Sequence, residues 1–269
     1  MKKISSRENP DFRLLSKVAA GKRVPGERSG AAPRIVLEGV HLCEAWLAKG
    51  GKPELAFFDE ERLGHPEVAA LLKNVDQAAV RFCPPSLLRS ASQVVHGQGV
   101  MFLVRAPRPT PPERIDRNCL WLDRVQDPGN MGTLLRTAAA AGICEVYASK
   151  GCVAAWSPKV LRSAQGAHFV LQIYEEQDLH AIREKLRIPL LATALHDAQT
   201  IYAAELPRDA AWVFGNEGRG VDAALIAAAD QRLYIPQSPA VESLNVAVAA
   251  GVCLFEQRRR YIEASAKPH

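Results

Sequence analysis

No run of apolar residues in this chain approaches the roughly 18 that a membrane-crossing helix needs, so no membrane role is expected. The six cysteines, Cys43, Cys83, Cys119, Cys144, Cys152 and Cys253, never form a C-x-x-C pair. That scatter argues against a zinc site and against a disulfide framework, and no metal is expected. Reduced thiols in a cytoplasm are the natural reading. The opening MKKISSRENP has no apolar stretch behind its lysines and does not read as a secretory signal. Both common phosphate fingerprints are missing, the G-x-x-x-x-G-K-[ST] loop and the dinucleotide G-x-G-x-x-G, which speaks against an ATP- or NAD-dependent enzyme.

What is present is a 269-residue chain with 48% hydrophobic and 23% charged residues, long enough for one large domain or two ordinary ones with buried cores. The net charge of +5 is mild, but the excess is local. Residues 1–34 carry Lys2, Lys3, Arg7, Arg13, Lys17, Lys22, Arg23, Arg28 and Arg34 against Glu8, Asp11 and Glu27. A mobile or helical arm of this kind neutralises phosphates and releases counterions, while a solvated tail has the same composition. A second basic cluster, Arg258 to Arg260, sits near the C-terminus, where cations favour a helix end in any case.

Hydrophobic periodicity predicts strands at 34–38, 55–58, 78–82 and 99–104 with helices at 40–47, 66–72 and 85–90 between them, an α/β unit ending at residue 106. Four prolines within 107–112 cannot hold a ladder and favour an extended spacer, so 107–117 is read as a linker. The domain from 118 to 269 begins with a strand at 119–125, a turn-rich stretch at 126–132 and a helix at 133–141. Further strands are expected at 145–148, 169–173, 190–194, 211–214 and 232–235, with helices at 158–164, 179–186 and 222–228 and a last helix from 243 to about 260. This alternation predicts a mostly parallel sheet covered on both faces, with ligands outside the carboxyl ends of its strands.

Three segments follow predicted strands and carry chemistry. In 123–137, Pro128 and Gly129 force a turn, Asn130 tolerates a cap or left-handed backbone, and Arg136 lies six residues on. In 212–221, three glycines in six positions surround Glu217 and let backbone N–H groups approach a ligand. In 233–250 a polar loop leads into Ser243, Leu244 and Asn245; Ser243 reads as an N-cap, whereas Asn245, two positions on, is not explained by capping.

Together the motifs D-P-x-N-x-G-x-x-x-R-T-A at 127–138, F-G-N-E-G-x-G at 214–220, and I-P with E-S-L-N-V within 235–246 resemble the SpoU (TrmH) branch of the SPOUT superfamily, RNA ribose 2'-O-methyltransferases that use S-adenosylmethionine (AdoMet). The segment Lys159 to Phe169 resembles the family's helix-to-strand passage, and Val36-Leu37-Glu38-Gly39-Val40 resembles the small ribosomal-protein-like RNA-binding domain that often precedes it. Two positions depart from the family pattern, Pro239 in place of a common glycine and Ala247 in place of a serine.

The resemblance implies an α/β fold with a SPOUT-type C-terminal domain, a parallel sheet and a trefoil knot, preceded by an RNA substrate-binding domain at 1–106. It implies an AdoMet pocket in which Gly215, Ile235 and Leu244 give main-chain contacts and Thr193 forms a wall. It places Asn130, Arg136, Glu217, Ser243 and Asn245 in the active site of a homodimer. The implied substrate is RNA, ribosomal RNA in preference to transfer RNA given the added N-terminal domain. A ribose hydroxyl is a poor nucleophile until its proton departs. An ordinary guanidinium releases its own proton near 12.5, so using one as a base at neutral pH costs roughly 7 kcal/mol. Arg136 is therefore assigned to positioning the hydroxyl and stabilising developing alkoxide charge, with a base role as the rival. The other readings are a transfer-RNA methyltransferase, a non-catalytic RNA-binding or ribosome-assembly factor on the same fold, and an unrelated nucleotide-using α/β enzyme.

Overall fold

A computed structural model describes residues 2–22, 32–92, 97–194 and 197–266. Of the predicted basic arm, Arg23, Glu27 and Arg28 lie outside the described residues. The chain divides into two compact units, one of residues 1–107 with 156–161 and the other of 108–155 with 162–269.

In the first unit, β1 (Lys2–Lys3), α1 (Pro10–Ala19), β2 (Arg34–Glu38), α2 (Val40–Ala48), β3 (Leu55–Asp59), α3 (Pro66–Lys73), β4 (Val80–Cys83), α4 (Pro85–Ala91) and β5 (Val100–Arg105) follow one another. The sheet order is β1-β4-β3-β5-β2. β1 and β3 pair parallel to β4, while β5 runs antiparallel to β2 and β3. The start of the chain is not a loose arm: α1 is capped by Asn9, carries Pro10 in its first turn, and buries Phe12, Leu15, Val18 and Ala19. Its charges ride on the outside of a helix that the apolar residues, three and four apart, hold against the core.

The second unit holds β6 (Cys119–Asp123), α5 (Pro128–Ala141), β7 (Glu145–Ser149), α6 (Pro158–Ala164, shared between the units), β8 (Gln172–Gln177), α7 (Leu179–Arg183), β9 (Leu190–Thr193), β10 (Gln199–Thr200), β11 (Ala211–Gly215), α8 (Ala223–Ala227), β12 (Gln231–Tyr234) and α9 (Val246–Ala266). Its seven strands lie in the order β10-β12-β9-β11-β6-β7-β8, each pair parallel. Successive side chains of a strand point to opposite faces. Cys119 and Trp121 of β6 join Leu179 and Ile182 of α7 and Leu225 of α8 in one buried cluster. On the alternate side, Trp212 of β11 donates its indole N–H to the buried Gln257 of α9 at 2.8 Å, and α9 packs along α5.

Three of the differences from the sequence expectation lie in the elements around the candidate site. α5 starts at Pro128 rather than 133, because Asp127 caps it by accepting from the Asn130 N–H at 2.7 Å and proline suits a first turn. Gly132 inside it sits where a Cβ would come within 2.4 Å of Ser163 Cβ, so the glycine is there for helix packing rather than for a turn. β8 starts at Gln172, since 167–169 form a 3-10 turn that buries His168. α9 starts at Val246 and runs to Ala266.

Candidate active site

β6 and β11 pair along their whole length and end together, Gly215 opposite Asp123. The chain leaving β11 folds back at once: Asn216 and Gly220 exchange main-chain hydrogen bonds of 3.0 and 2.8 Å. This closure requires glycine at 215, where a Cβ would stand 2.1 Å from the Gly220 carbonyl carbon and 2.2 Å from the Val221 nitrogen. The Asn216 side chain then staples the loop. Its Oδ1 accepts from the Gly218 and Arg219 N–H groups, and its Nδ2 donates to the Arg124 carbonyl at 2.9 Å. Asn216 was not singled out from the sequence, although it stands inside the second motif.

The loop presents Glu217 to the start of α5. Its carboxylate accepts from the Gln126 N–H at 3.3 Å, the Asp127 N–H at 3.1 Å and Asn130 Nδ2 at 3.1 Å. Burial alone would raise this carboxyl, but the donors led by Asn130 outweigh it and hold Glu217 below the usual carboxylate range. Asn130 Oδ1 in turn accepts from Asn245 Nδ2 at 2.9 Å. Glu217, Asn130 and Asn245 thus form one hydrogen-bonded row drawn from three segments, and each amide orientation is fixed by its neighbours.

The third segment corrects one expectation. Asn245, not Ser243, caps α9, its Oδ1 accepting from the N–H groups of Ala247 and Val248 at 2.9 and 3.3 Å. One side chain does both jobs, capping with its oxygen and bonding Asn130 with its nitrogen. Ser243 is exposed and makes no side-chain hydrogen bond with a described residue. Arg136 is not drawn into the row either: it is exposed on α5 and has no partner among the described residues. Six residues of helix carry it roughly 9 Å along and 120° around the axis from Asn130.

The residues expected to face a cofactor lie at neighbouring strand ends. β12, β9 and β11 are adjacent in the sheet, Thr193 is opposite Leu233, and the Ala194 N–H bonds the Leu233 carbonyl at 2.9 Å. Thr193, Gly215 and Ile235 therefore mark one side of the carboxyl edge, and Leu244, 37% exposed, follows in the loop leading to α9. The donor set there is main-chain amides and carbonyls beside apolar Ile235 and Leu244, with no phosphate loop. Such a set suits a cofactor that is a nucleoside with a sulfonium tail and no phosphate. Among the described residues no group of three or more His, Cys, Asp or Glu side chains is placed to hold a metal ion, and no helix is long and apolar enough to cross a membrane.

A model of the SpoU rRNA methylase family matches residues 117–255. The chain is also 35% identical over 272 residues to a tRNA/rRNA methyltransferase of Synechocystis that carries no further characterisation, covering 97% of this chain and 95% of that one. The chain belongs to the SpoU rRNA methylase family. Over 145 residues the chain is 41% identical to the 23S rRNA (guanosine(2553)-2'-O)-methyltransferase of Bacillus subtilis, covering 53% of this chain and 58% of that protein. A crystal structure of an RNA 2'-O ribose methyltransferase matches with a TM-score of 0.78 at 28% identity, over 97% of this chain and 99% of that one. An AdoMet-bound rRNA methyltransferase from Sinorhizobium meliloti shares the fold, with a TM-score of 0.82 at 24% identity over 96% and 97% of the two chains. The family resemblance carried by the three motifs is confirmed, and the α/β fold with a parallel sheet is that of its members.

Proposed function

We propose that this SpoU protein transfers a methyl group from AdoMet to a ribose 2'-hydroxyl of RNA, ribosomal RNA in preference to transfer RNA. The observation that carries the reading is the Glu217–Asn130–Asn245 row, built from all three family motifs at the carboxyl edge of a parallel sheet. AdoMet, when bound, supplies an electrophilic methyl group. Main-chain groups at Gly215, Ile235 and Leu244 hold it, with Thr193 as a wall. Glu217 stays ionised and fixes the Asn130 amide, so Asn130 and Asn245 meet the ribose with preset donors and acceptors. Arg136 keeps its charge, orients the hydroxyl and stabilises negative charge as its proton leaves. Ser243 lines the junction between cofactor and ribose.

The domain of residues 1–106 binds the RNA, aided by the exposed charges of α1, and the protein works in the cytoplasm as a homodimer. Support for the dimer comes from α9, where Val248, Phe255 and Ile262 are 54%, 45% and 51% exposed at seven-residue intervals, one apolar stripe along the helix. The knotted path of the C-terminal loops belongs to this reading as well.

The test is incubation of the protein with tritiated AdoMet and total RNA beside Arg136→Ala and Arg136→Lys. Label in 2'-O-methylated nucleotides of one rRNA, lost in both variants while AdoMet binding persists, is expected. The lysine variant keeps the charge but not the planar fork, so near-normal turnover by it overturns the positioning role. AdoMet binding without label in any RNA overturns the enzyme reading in favour of a non-catalytic binder.

A further inference from the structure

Arg124 directly follows β6 with φ of +55°, in the left-handed region where a side chain is uncommon. The fold holds it there from several sides. Its N–H donates to Ser149 Oγ at 2.9 Å, its carbonyl accepts from Asn216, and its guanidinium lies 2.9 Å from the buried Asp123 carboxylate and 3.7 Å from Asp222. Asp123 opposes Gly215 across one ladder, and Leu122 opposes Ala148 across the other. The residues just beyond the three strand ends, Asn216, Arg124 and Lys150, therefore form a row at the carboxyl edge, with neighbouring strands about 4.8 Å apart. Asn216 fixes Arg219 next to this row through the Arg219 N–H.

The acidic groups along the row are committed. Asp123 accepts from Arg124, Ser149 and the Asp222 N–H. Asp222 lies between Arg124 and His180 and caps α8. Asp178 caps α7, and Glu217 is held by three donors. Lys150 and Arg219 are both exposed, and neither side chain has a partner among the described residues. Lys150 stands on the rim of a cleft of about 220 Å³ at the ends of β6, β7 and β8, on the opposite side of Glu217 from the cofactor strands.

We infer that Lys150 and Arg219 bind phosphodiester groups of the nucleotides flanking the target ribose and lay the RNA strand along this edge of the sheet. The inference rests on the RNA methyltransferase reading above and adds two positioning residues to it. Lys150 directly follows β7 next to Ser149, and Arg219 stands two residues from Glu217 in the closed loop after β11, so a strand held by both runs past the Glu217–Asn130 pair. Phosphate contacts fix register without reading sequence.

The test measures affinity for a fluorescein-labelled single-stranded RNA of mixed sequence by anisotropy, between about 50 and about 200 mM salt, for the wild type, Lys150→Met, Arg219→Met and the charge-keeping Lys150→Arg and Arg219→Lys. Each lost phosphate contact lowers the slope of log K against log salt by about 0.7, which shrinks the loss of affinity over that range by about 2.6-fold. Both methionine variants are expected to show this drop and both charge-keeping variants the wild-type slope. For total rRNA, the methionine variants should raise KM with kcat within about two-fold and AdoMet affinity unchanged. Unchanged slopes, or a loss confined to kcat or to AdoMet binding, overturn the inference. Wild-type protein that binds RNA but transfers no methyl overturns the enzyme reading instead, and the slopes still decide the role of the two cations.

Discussion

Acid should loosen the ground beneath α5 through one buried histidine. His168 is 2% exposed in the 3-10 turn that packs against α5, and its Nε2 lies 2.7 Å from the Ala155 carbonyl, so the neutral ring donates there. Burial disfavours the charged ring and lowers its pKa to about 4, although the bond to Ala155 pulls the other way. In the unfolded chain the same group titrates near 6.5. The folded value is the depressed one, so the stability from a neutral His168 is fully present above pH 6.5 and is lost as pH falls toward 4. The full difference is worth about 3 kcal/mol, of which about 2 disappears between pH 7 and pH 5. Urea unfolding at several pH values, wild type against His168→Gln, isolates this group from the carboxylates that titrate in both proteins. The glutamine amide can still donate to Ala155 but takes up no proton. The wild type should lose about 2 kcal/mol more than the variant between pH 7 and pH 5. Parallel curves for the two proteins would refute the assignment of a neutral buried ring.

Other outcomes follow from the site and its supports. Gly215→Ala should cost about 2 to 3 kcal/mol and abolish AdoMet-induced thermal stabilisation, because the added Cβ meets the Gly220 and Val221 backbone rather than a side chain that can turn away; a normal AdoMet shift in melting temperature would sink this. Glu217→Gln keeps one oxygen for Asp127 and Asn130 but turns an NH2 group onto the Gln126 N–H and removes the charge that strengthens the other bonds, so methyl transfer should fall at least about ten-fold, roughly 1.4 kcal/mol, with the fold retained by circular dichroism. Arg260→Ala strips donors from the carbonyls of Ile201, Tyr202 and Ala204 at once and should lower stability by about 1 to 3 kcal/mol in denaturant melts. Charge alone is not the cause, so Arg260→Lys should recover only part of it.

The family, most of the order of elements and the three segments that meet at the candidate site were legible in the chain itself, because turn formers, glycines and polar residues clustered after apolar strands leave a pattern that needs no third dimension. Glu217, Asn130 and Asn245 are 87 and 115 residues apart in the two bonds that join them, and no local rule states that they touch. Parallel pairing decided it, by bringing the ends of β6 and β11 to one level. Local rules also misjudged which residue caps α9: serine and asparagine are about equally good caps, and only the bond from Asn245 to Asn130 selects between them. The first turn of α5 was read as loop because proline and glycine usually break helices, whereas proline at the first position and a glycine pressed against Ser163 both serve this one. The basic residues of α1 fitted an arm and a solvated tail equally well until Phe12, Leu15 and Val18 were seen buried. Sequence alone determined the family and the three segments on which the candidate site is built. Tertiary structure decided which side chains share a site and which are spent holding it, since a hydrogen bond between distant segments depends on strand register and loop closure that no single segment encodes.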